Sequence, residues 1–168
     1  MEESTVTLGQ STLSLPNPFF VVATMNPYDA QGTYLLPTAA LDRFAMSLEL
    51  SSLSESDERR LLQNPLPSLD TLTPELSPEA LEAYKESMAE IYADEKIIAY
   101  IARLIFRTRT TPDVLTGVSS RASLSLLRTA RVYAALMGRT FVIPEDIKFL
   151  TPHVLSHRIQ LSYKARSE

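Results

Sequence analysis

Residues 19–27 read Phe-Phe-Val-Val-Ala-Thr-Met-Asn-Pro, an apolar run that ends in an Asn-Pro pair. The segment 19–24 is apolar without alternation, as expected of a strand that is covered on both faces in a parallel α/β sheet. Open α/β sheets bind their ligands outside the carboxyl ends of the strands. The stretch therefore predicts a buried strand that is followed directly by Asn26, at the sheet edge where such ligands bind.

The residues before this strand predict a β-hairpin. Val6 and Leu8 alternate in one short run and Leu13 and Leu15 in a second, with Gly9-Gln10-Ser11 as the turn between them. Beyond residue 51 the pattern changes to helices punctuated by proline. We therefore expect a domain boundary near residue 50, with a β-rich part at 1–50 and a helical part at 51–168.

The start of the helical part carries clear capping signals. Ser54 to Asp57 is an S-x-x-D cap for a helix that should end near Pro65, and Ser77-Pro78-Glu79 opens the next helix. The proline-rich residues 64–77 between them predict a linker or an extended loop.

The later sequence predicts a helical bundle. Apolar stripes define two longer helices, one with Ile97, Ile98, Ile101, Leu104 and Ile105, and one from about Ser120 to Met137, which Gly138 ends. Pro144 opens a short helix, and Pro152 is expected to open another that reaches the histidines. The predicted fold is therefore mostly α, with about five or six short helices after a small β-rich N-terminal part.

The composition argues against several classes of protein. The 168 residues, 45% of them hydrophobic, suffice for one core, or for a small domain plus part of another. A formal net charge of -4 argues against nucleic-acid binding. The absence of cysteine excludes disulfides and leaves a cytoplasmic location as the default. No segment approaches the ~20 apolar residues of a membrane span, so we expect none.

The two histidines are the candidate metal ligands. His153 and His157 have an i, i+4 spacing that could place both on one helix face. Neither an HExxH glutamate nor an obvious third ligand accompanies them. We therefore predict no metal site and assign both histidines to helix-terminal or surface roles.

Three further stretches form a pattern with residues 19–27. They are Gln31-Gly-Thr-Tyr-Leu-Leu-Pro37, Ala40-Leu-Asp-Arg-Phe44 and Ser119-Ser-Arg-Ala-Ser-Leu-Ser-Leu-Leu-Arg128. In this order the stretches resemble the MoxR family of AAA+ ATPases, and the likeness runs through nearly the whole chain, most weakly at residues 64–77. The resemblance implies that residues 1–50 are the last strands of an AAA+ P-loop α/β core and that residues 51–168 are its helical lid.

The resemblance assigns a role to three residues. Asn26 becomes sensor 1, whose amide orients the water that attacks the γ-phosphate of ATP. Arg43 becomes the arginine finger, which acts in trans on the ATP of a neighbouring subunit. Arg121 becomes sensor 2, which contacts the γ-phosphate and makes the orientation of the lid depend on the nucleotide.

Each of the three residues also has a purely structural interpretation. Asn26-Pro27 could simply form a turn, which asparagine often does. Arg43, between the expected anchors Leu41 and Phe44, could form a surface ion pair with Asp42, and such pairs contribute little stability. Arg121 could be a solvated cation on an exposed helix face.

The sequence lacks two motifs that such an ATPase needs. It contains no G-x-x-x-x-G-K-[ST] loop and no apolar strand that ends in Asp-Glu, and both lie upstream in the family. The chain is therefore expected to be a C-terminal fragment that does not hydrolyse ATP alone and binds no cofactor tightly, whereas the complete protein would use ATP and Mg²⁺. Met25 replaces the family's usual glutamine, and Ser119-Ser120 replaces the usual Ser-Pro; neither change removes a charged group.

For the complete protein the resemblance implies a chaperone-like function. ATP hydrolysis would drive the remodelling or maturation of client proteins by a homo-oligomeric ring, a hexamer, alongside a von Willebrand A-type domain partner. The alternative is a stand-alone helical protein-interaction domain without a nucleotide role, in which the arginines serve solubility.

Overall fold

A computed structural model describes residues 5–25, 36–64 and 72–166 of the chain. The chain divides into two compact units, one formed by residues 1–35 and 73–87 and the other by residues 36–72 and 88–168. The contacts thus group residues 36–50 with the helical part. The domain boundary near residue 50, which was drawn from the change of sequence pattern, stays a prediction.

The first unit contains the predicted hairpin. Strand β1 (Thr5–Leu8) pairs antiparallel with strand β2 (Ser11–Ser14), and Val6 lies opposite Leu13. Gly9 has a φ of 61° in the turn between the strands, a conformation that glycine adopts without a steric penalty. The hairpin prediction is confirmed.

The predicted buried strand at residues 19–24 is wrong for this structure. Residues 19–25 form no strand, and the side chains of Phe20 and Val22 are 69% and 89% exposed. A strand needs a hydrogen-bonded neighbour. In the described part of the chain the sheets are β1–β2 and a second pair of short strands near the C-terminus, and residues 19–24 join neither of them.

The described elements of the remaining chain are mostly helices. They are α1 (Thr38–Leu41), α2 (Glu55–Gln63), α3 (Pro78–Ala89), α4 (Glu95–Thr110), strand β3 (Val114–Thr116), α5 (Ser120–Leu136), α6 (Pro144–Leu155), a 3-10 turn (Ser156–Arg158), strand β4 (Gln160–Leu161) and α7 (Tyr163–Arg166). The capping predictions are confirmed, because Ser54 Oγ accepts from Asp57 N at 3.2 Å and Ser77 Oγ accepts from Ala80 N at 3.2 Å. The architecture is mostly α with a small β-rich N-terminal part, as predicted.

Helices α4, α5 and α6 form the core of the second unit, here called the bundle. Their buried side chains recur at helical spacing: Ile97, Ile101 and Ile105 from α4; Ala122, Leu126, Ala130 and Ala134 from α5; and Ile147, Leu150, Val154 and Leu155 from α6. Three of the four buried α5 residues are alanines, and such small side chains let neighbouring helix backbones approach closely. The predicted stripes of α4 and α5 are confirmed at these positions, but Ile98, which was also predicted in the α4 stripe, is 41% exposed.

Helix α6 begins at a buried ion pair. The carboxylate of Asp146 accepts from Ile143 N at 2.9 Å and from both terminal nitrogens of Arg139, at 2.8 and 2.5 Å. Burial by itself raises the pKa of Asp146, but the hydrogen bonds from Arg139 and Ile143 outweigh that effect and hold the pKa below its usual value. The pair caps α6 and joins it to the end of α5.

Helix α6 also differs from its prediction. Pro152 lies inside α6 and does not open a separate helix. A proline within a helix lacks its own N–H donor and its ring crowds the carbonyl group four residues earlier. Helix α6 still packs Leu150, Val154 and Leu155, on either side of Pro152, into the core. The packing of the apolar face therefore outweighs the local disruption.

Within the described residues, no helix is long and apolar enough to cross a membrane.

Candidate functional site

Asp42 lies at the centre of a cluster of polar contacts in the second unit. It directly follows helix α1, and its carboxylate is only 16% exposed. Ser119 Oγ donates to the carboxylate at 2.9–3.0 Å, Arg121 Nη1 lies 3.1 Å from Oδ2, and Arg158 Nε lies 3.3 Å from Oδ1. One carboxylate thus joins the residues after α1 to the start of α5 and to the 3-10 turn after α6.

Arg121 occupies the first turn of α5. Its position follows from the local sequence, since Ser119 is the residue just before the helix and Ala122 is fully buried, which places residue 121 on the outer face. The guanidinium is paired with Asp42, yet the side chain is 46% exposed. A cation held in this way keeps its orientation and can still be reached from solvent.

Arg158 is the buried member of the cluster. Its side chain is 1% exposed, and it follows α6 in the 3-10 turn. Nη2 donates to the backbone oxygens of Asp42 at 3.1 Å and Phe44 at 2.6 Å, while Nη1 donates to Val154 O at 3.0 Å. The contact of Nε with the Asp42 carboxylate is ionic and not a directed hydrogen bond. Burial lowers the pKa of Arg158; Asp42 opposes that effect and Arg121 adds to it.

His157 binds the same backbone. Its Nε2 lies 3.1 Å from Phe44 O, so that nitrogen carries the proton when the ring is neutral, and Nδ1 is buried without a hydrogen-bond partner. Burial lowers the pKa of His157, as does the charge of Arg158, while the hydrogen bond to Phe44 and the charge of Asp42 oppose the shift. A second proton would have to enter on the buried Nδ1.

This arrangement predicts a pH dependence of stability. The folded pKa of His157 lies below the usual value of 6.5, so the unfolded chain binds more protons between these two values. The free energy of unfolding should therefore decrease as the pH falls below about 6.5, until the pH reaches the folded pKa. Urea unfolding of the 168-residue chain between pH 8 and pH 5 measures this slope.

A matched histidine gives the control for this pH dependence. His157→Gln should flatten the slope, because glutamine does not titrate and its amide can still donate a hydrogen bond. His153→Gln should leave the slope in place, since the ring of His153 contacts Phe149 instead, with centroids 5.5 Å apart. An unchanged slope in His157→Gln would show that another group titrates.

The structure places two of the three predicted site residues near each other. Arg43 is exposed, and the flanking Leu41 and Phe44 are both partly buried. Arg43 directly follows Asp42, whose carboxylate contacts Arg121, so the backbone of Arg43 adjoins the cluster. Asn26 lies outside the described residues.

Sequence reasoning missed Arg158, although the sequence held a signal. Ile147, Leu150 and Val154 form a buried stripe on α6, and Arg158 continues the same i, i+3, i+4 spacing. A cation on an apolar stripe must find a carboxylate when it is buried. The carboxylate is that of Asp42, 116 positions away, and local periodicity could not identify it.

The described residues supply cations but no metal cluster. Among residues 5–25, 36–64 and 72–166, no group of three or more histidine, aspartate or glutamate side chains could hold a metal ion. Arginine and serine donors instead suit anionic oxygens such as those of a phosphate or a carboxylate.

Two family models match the chain. The model described as the AAA lid domain matches residues 106–168, and the model described as the ATPase family associated with various cellular activities (AAA) matches residues 1–46. The first match covers helices α5 and α6 with Arg121 and Arg158, and the second covers Asp42 and Arg43.

Curated relatives and a solved structure agree with these matches. The uncharacterized protein YeaC of Bacillus subtilis is 39% identical over 100% of this chain and 53% of its own length. Chaperone MoxR1 of Mycobacterium tuberculosis is 33% identical over 100% of this chain and 47% of its own. The crystal structure of a candidate ATPase from Cytophaga hutchinsonii has a TM-score of 0.87 at 32% identity, over 99% of this chain and 54% of that chain. The chain therefore spans about half the length of the curated relatives it matches.

Proposed function

This chain belongs to the MoxR-type AAA+ ATPases, and on that basis we propose that it supplies the arginine finger and the nucleotide-sensing lid of a client-remodelling machine. Arg43 acts in trans on the ATP of a neighbouring subunit, and Arg121 acts as sensor 2. Asn26 is proposed as sensor 1 from the motif alone. The complete protein would form a homo-oligomeric ring, a hexamer, and would work with a von Willebrand A-type domain partner.

The contact between Arg121 and Asp42 carries this proposal. It joins the start of α5 to the residue that precedes Arg43, with 3.1 Å between Arg121 Nη1 and Asp42 Oδ2. A displacement of Arg121 can therefore reach the backbone of Arg43 through Asp42. A contact of this kind could couple the nucleotide state of the ATPase to the position of its lid.

The donor set fits a polyphosphate. Arg121 is paired but about half exposed, and Ser119 Oγ lies beside it on the same carboxylate. An arginine fork pairs well with phosphate oxygens, so Arg121 can exchange the carboxylate of Asp42 for a γ-phosphate. ATP, when bound, supplies the phosphoryl group whose transfer to water releases free energy. No residue of this chain is assigned to Mg²⁺.

The buried partner keeps Asp42 in place during such an exchange. When Arg121 turns to a phosphate, Asp42 still pairs with Arg158, whose side chain is 1% exposed. A carboxylate that keeps one cation does not need to become protonated or to move into solvent. The Arg121 contact is therefore the exchangeable half of the cluster, and the Arg158 contact is the permanent half.

Arg121→Ala tests the proposed function in the complete ATPase, where this sequence would follow the P-loop. We expect ATP turnover to fall about tenfold or more, because a hydrogen-bonded charge contact of this kind contributes roughly 1.5–3 kcal/mol. Steady-state ATP hydrolysis and the binding of a fluorescent ATP analogue are measured side by side. The loss should affect both readouts, since sensor 2 contacts the nucleotide directly.

Arg128→Ala is the matched control for this experiment. Arg128 lies on the same helix as Arg121 and is exposed, but it does not contact Asp42 in the described structure. Its replacement should leave ATP turnover at the wild-type level. If Arg121→Ala also behaved as wild type, the lid would have no nucleotide role, and the interpretation as a protein-interaction domain would replace the proposal.

A further inference from the structure

Arg158 holds the backbone on both sides of Arg43. Its Nη2 donates to Asp42 O and to Phe44 O, the carbonyl groups of the residues immediately before and after Arg43. Its Nε also lies 3.3 Å from the carboxylate of Asp42. Three contacts of one buried guanidinium therefore fix residues 42–44, while the side chain of Arg43 between them is exposed.

We propose that Arg158 is the positioning residue of the Arg43 finger and that it orients the finger from the far end of the lid sequence. The inference rests on the proposed function of Arg43. Arg158 itself would touch neither the nucleotide nor the reacting atoms, because it is buried under the segment that it holds.

The backbone geometry explains why two carbonyl contacts are sufficient. Arg43 N donates to Ala40 O at 3.2 Å and Phe44 N donates to Leu41 O at 3.0 Å, so residues 42–44 continue the turn of α1. Arg158 fixes the carbonyl groups at both ends of this turn. With the peptide planes fixed, the direction of the Arg43 side chain from the backbone is fixed as well.

The same contacts connect the finger to the lid. Arg158 donates to Val154 O, and Val154 belongs to the buried face of α6, which packs against α5. Because Arg121 lies at the start of α5, residues 42–44 are held by both helices of the lid. Residues 42–44 would therefore move together with the lid, and a movement of the lid would change the direction of Arg43.

A purely structural anchor would make the same contacts, so the test must separate the two roles. We choose Arg158→Lys, because lysine keeps the charge but has one nitrogen, which cannot replace a fork that binds two carbonyl groups, Val154 O and a carboxylate. The variant is combined with Arg43→Ala in the complete ATPase. A residue that acts only through Arg43 has nothing left to position once Arg43 is gone.

The expected result is a loss of kcat that depends on Arg43. Arg158→Lys alone should lower kcat about 10- to 100-fold with the KM for ATP unchanged, since small displacements of a catalytic group have effects of this size. In the Arg43→Ala background, Arg158→Lys should cause no further loss. An equal further loss in that background, or a wild-type kcat for Arg158→Lys alone, would overturn the proposal.

Hydrogen exchange on the 168-residue chain provides an independent readout. In Arg158→Lys the backbone amides of residues 38–44 should exchange faster, while those of α4 (Glu95–Thr110) keep their wild-type rates. Unchanged exchange at residues 38–44 would contradict the proposal. If α4 also exchanged faster, the lid would be unfolding, and both experiments would be repeated with Arg158→Gln, which retains amide donors without burying a charge.

Failure of the proposed function gives a different pattern. If Arg43→Ala alone left ATP turnover unchanged, Arg43 would not be a finger, and the catalytic part of the inference would fall with it. If Arg43→Ala lowered turnover and Arg158→Lys lowered it independently, only the positioning inference would fail.

Discussion

In the complete ATPase, Arg43→Ala is expected to lower kcat about 1000-fold while ATP binding is retained. Arginine fingers contribute 10³–10⁵ in kcat, because the guanidinium stabilises charge that develops on the transferred phosphoryl group. Arg43 meets the structural requirement for this role, since its side chain is exposed while residues 42 and 44 are held by buried Arg158. Steady-state hydrolysis and nucleotide binding are measured on the same preparations.

Two further variants sharpen this prediction. Arg43→Lys should recover only a small part of kcat, because an ammonium group is a point charge without the planar fork. Arg103→Ala replaces an exposed arginine on α4 and should leave kcat unchanged. A kcat for Arg43→Ala within a fewfold of wild type would mean that Arg43 is a surface cation.

The trans action of Arg43 can be tested with mixed rings. Arg43→Ala subunits would be combined with subunits that carry an inactive P-loop, each inactive in a ring of its own kind. If the finger reaches a neighbour's ATP, the mixture should regain part of the turnover, because an intact finger then faces an intact P-loop. No recovery in rings that co-purify through a tag carried by only one kind of subunit would place the action of Arg43 within its own subunit.

Asp42→Asn is expected to destabilise the second unit by about 3 kcal/mol, since removing one partner of a buried ion pair leaves an uncompensated charge. Asparagine has nearly the same shape as aspartate, so the change removes the charge without creating a cavity. The uncompensated charge is that of Arg158, whose side chain is 1% exposed. Arg121 is half exposed and can turn to water, so it contributes little to the loss.

Urea unfolding of the 168-residue chain, followed by far-UV circular dichroism, measures this loss of stability. Asp113→Asn is the matched control, because Asp113 is exposed and its backbone oxygen, not its carboxylate, accepts from Ser162 N. A double replacement, Asp42→Asn with Arg158→Met, should recover part of the stability, since it removes the buried charge together with its partner. Equal midpoints for Asp42→Asn and Asp113→Asn would show that Arg158 does not depend on Asp42.

Local sequence signals predicted the helices well. The cap at Ser54, the proline at position 78 and the stop at Gly138 all involve contacts within a few residues, and the structure has helix ends at each. The apolar periods of α4 and α5 matched the buried faces. Residues 19–24 failed because a strand depends on neighbours that its own sequence does not contain. The prediction that Pro152 opens a separate helix was wrong, because the packing of α6 outweighed the tendency of proline to interrupt a helix.

The site was predictable only in part. Each of the motifs around Arg43 and Arg121 is a short run of adjacent residues, so each could be recognised from the sequence. The structure shows that Asp42, in the first motif, contacts Arg121 in the second. Neither Asp42 nor Arg158 could be identified from the sequence, because the structural role of each depends on contact with the other, 116 positions away. The spacing of Arg158 on the α6 stripe pointed to a buried cation, but nothing in the sequence named its carboxylate.

The distance along the chain between Arg158 and residues 42–44 has a consequence for folding. Contacts that close a long loop form late, because their entropic cost must be met before they stabilise the chain, whereas contacts among α4, α5 and α6 are shorter in sequence. We therefore expect a newly made chain to assemble its helical core first and to dock residues 42–44 afterwards. The same residues should also be among the first to detach in brief openings of the native state, so that the fixed position of Arg43 is gained last and lost first.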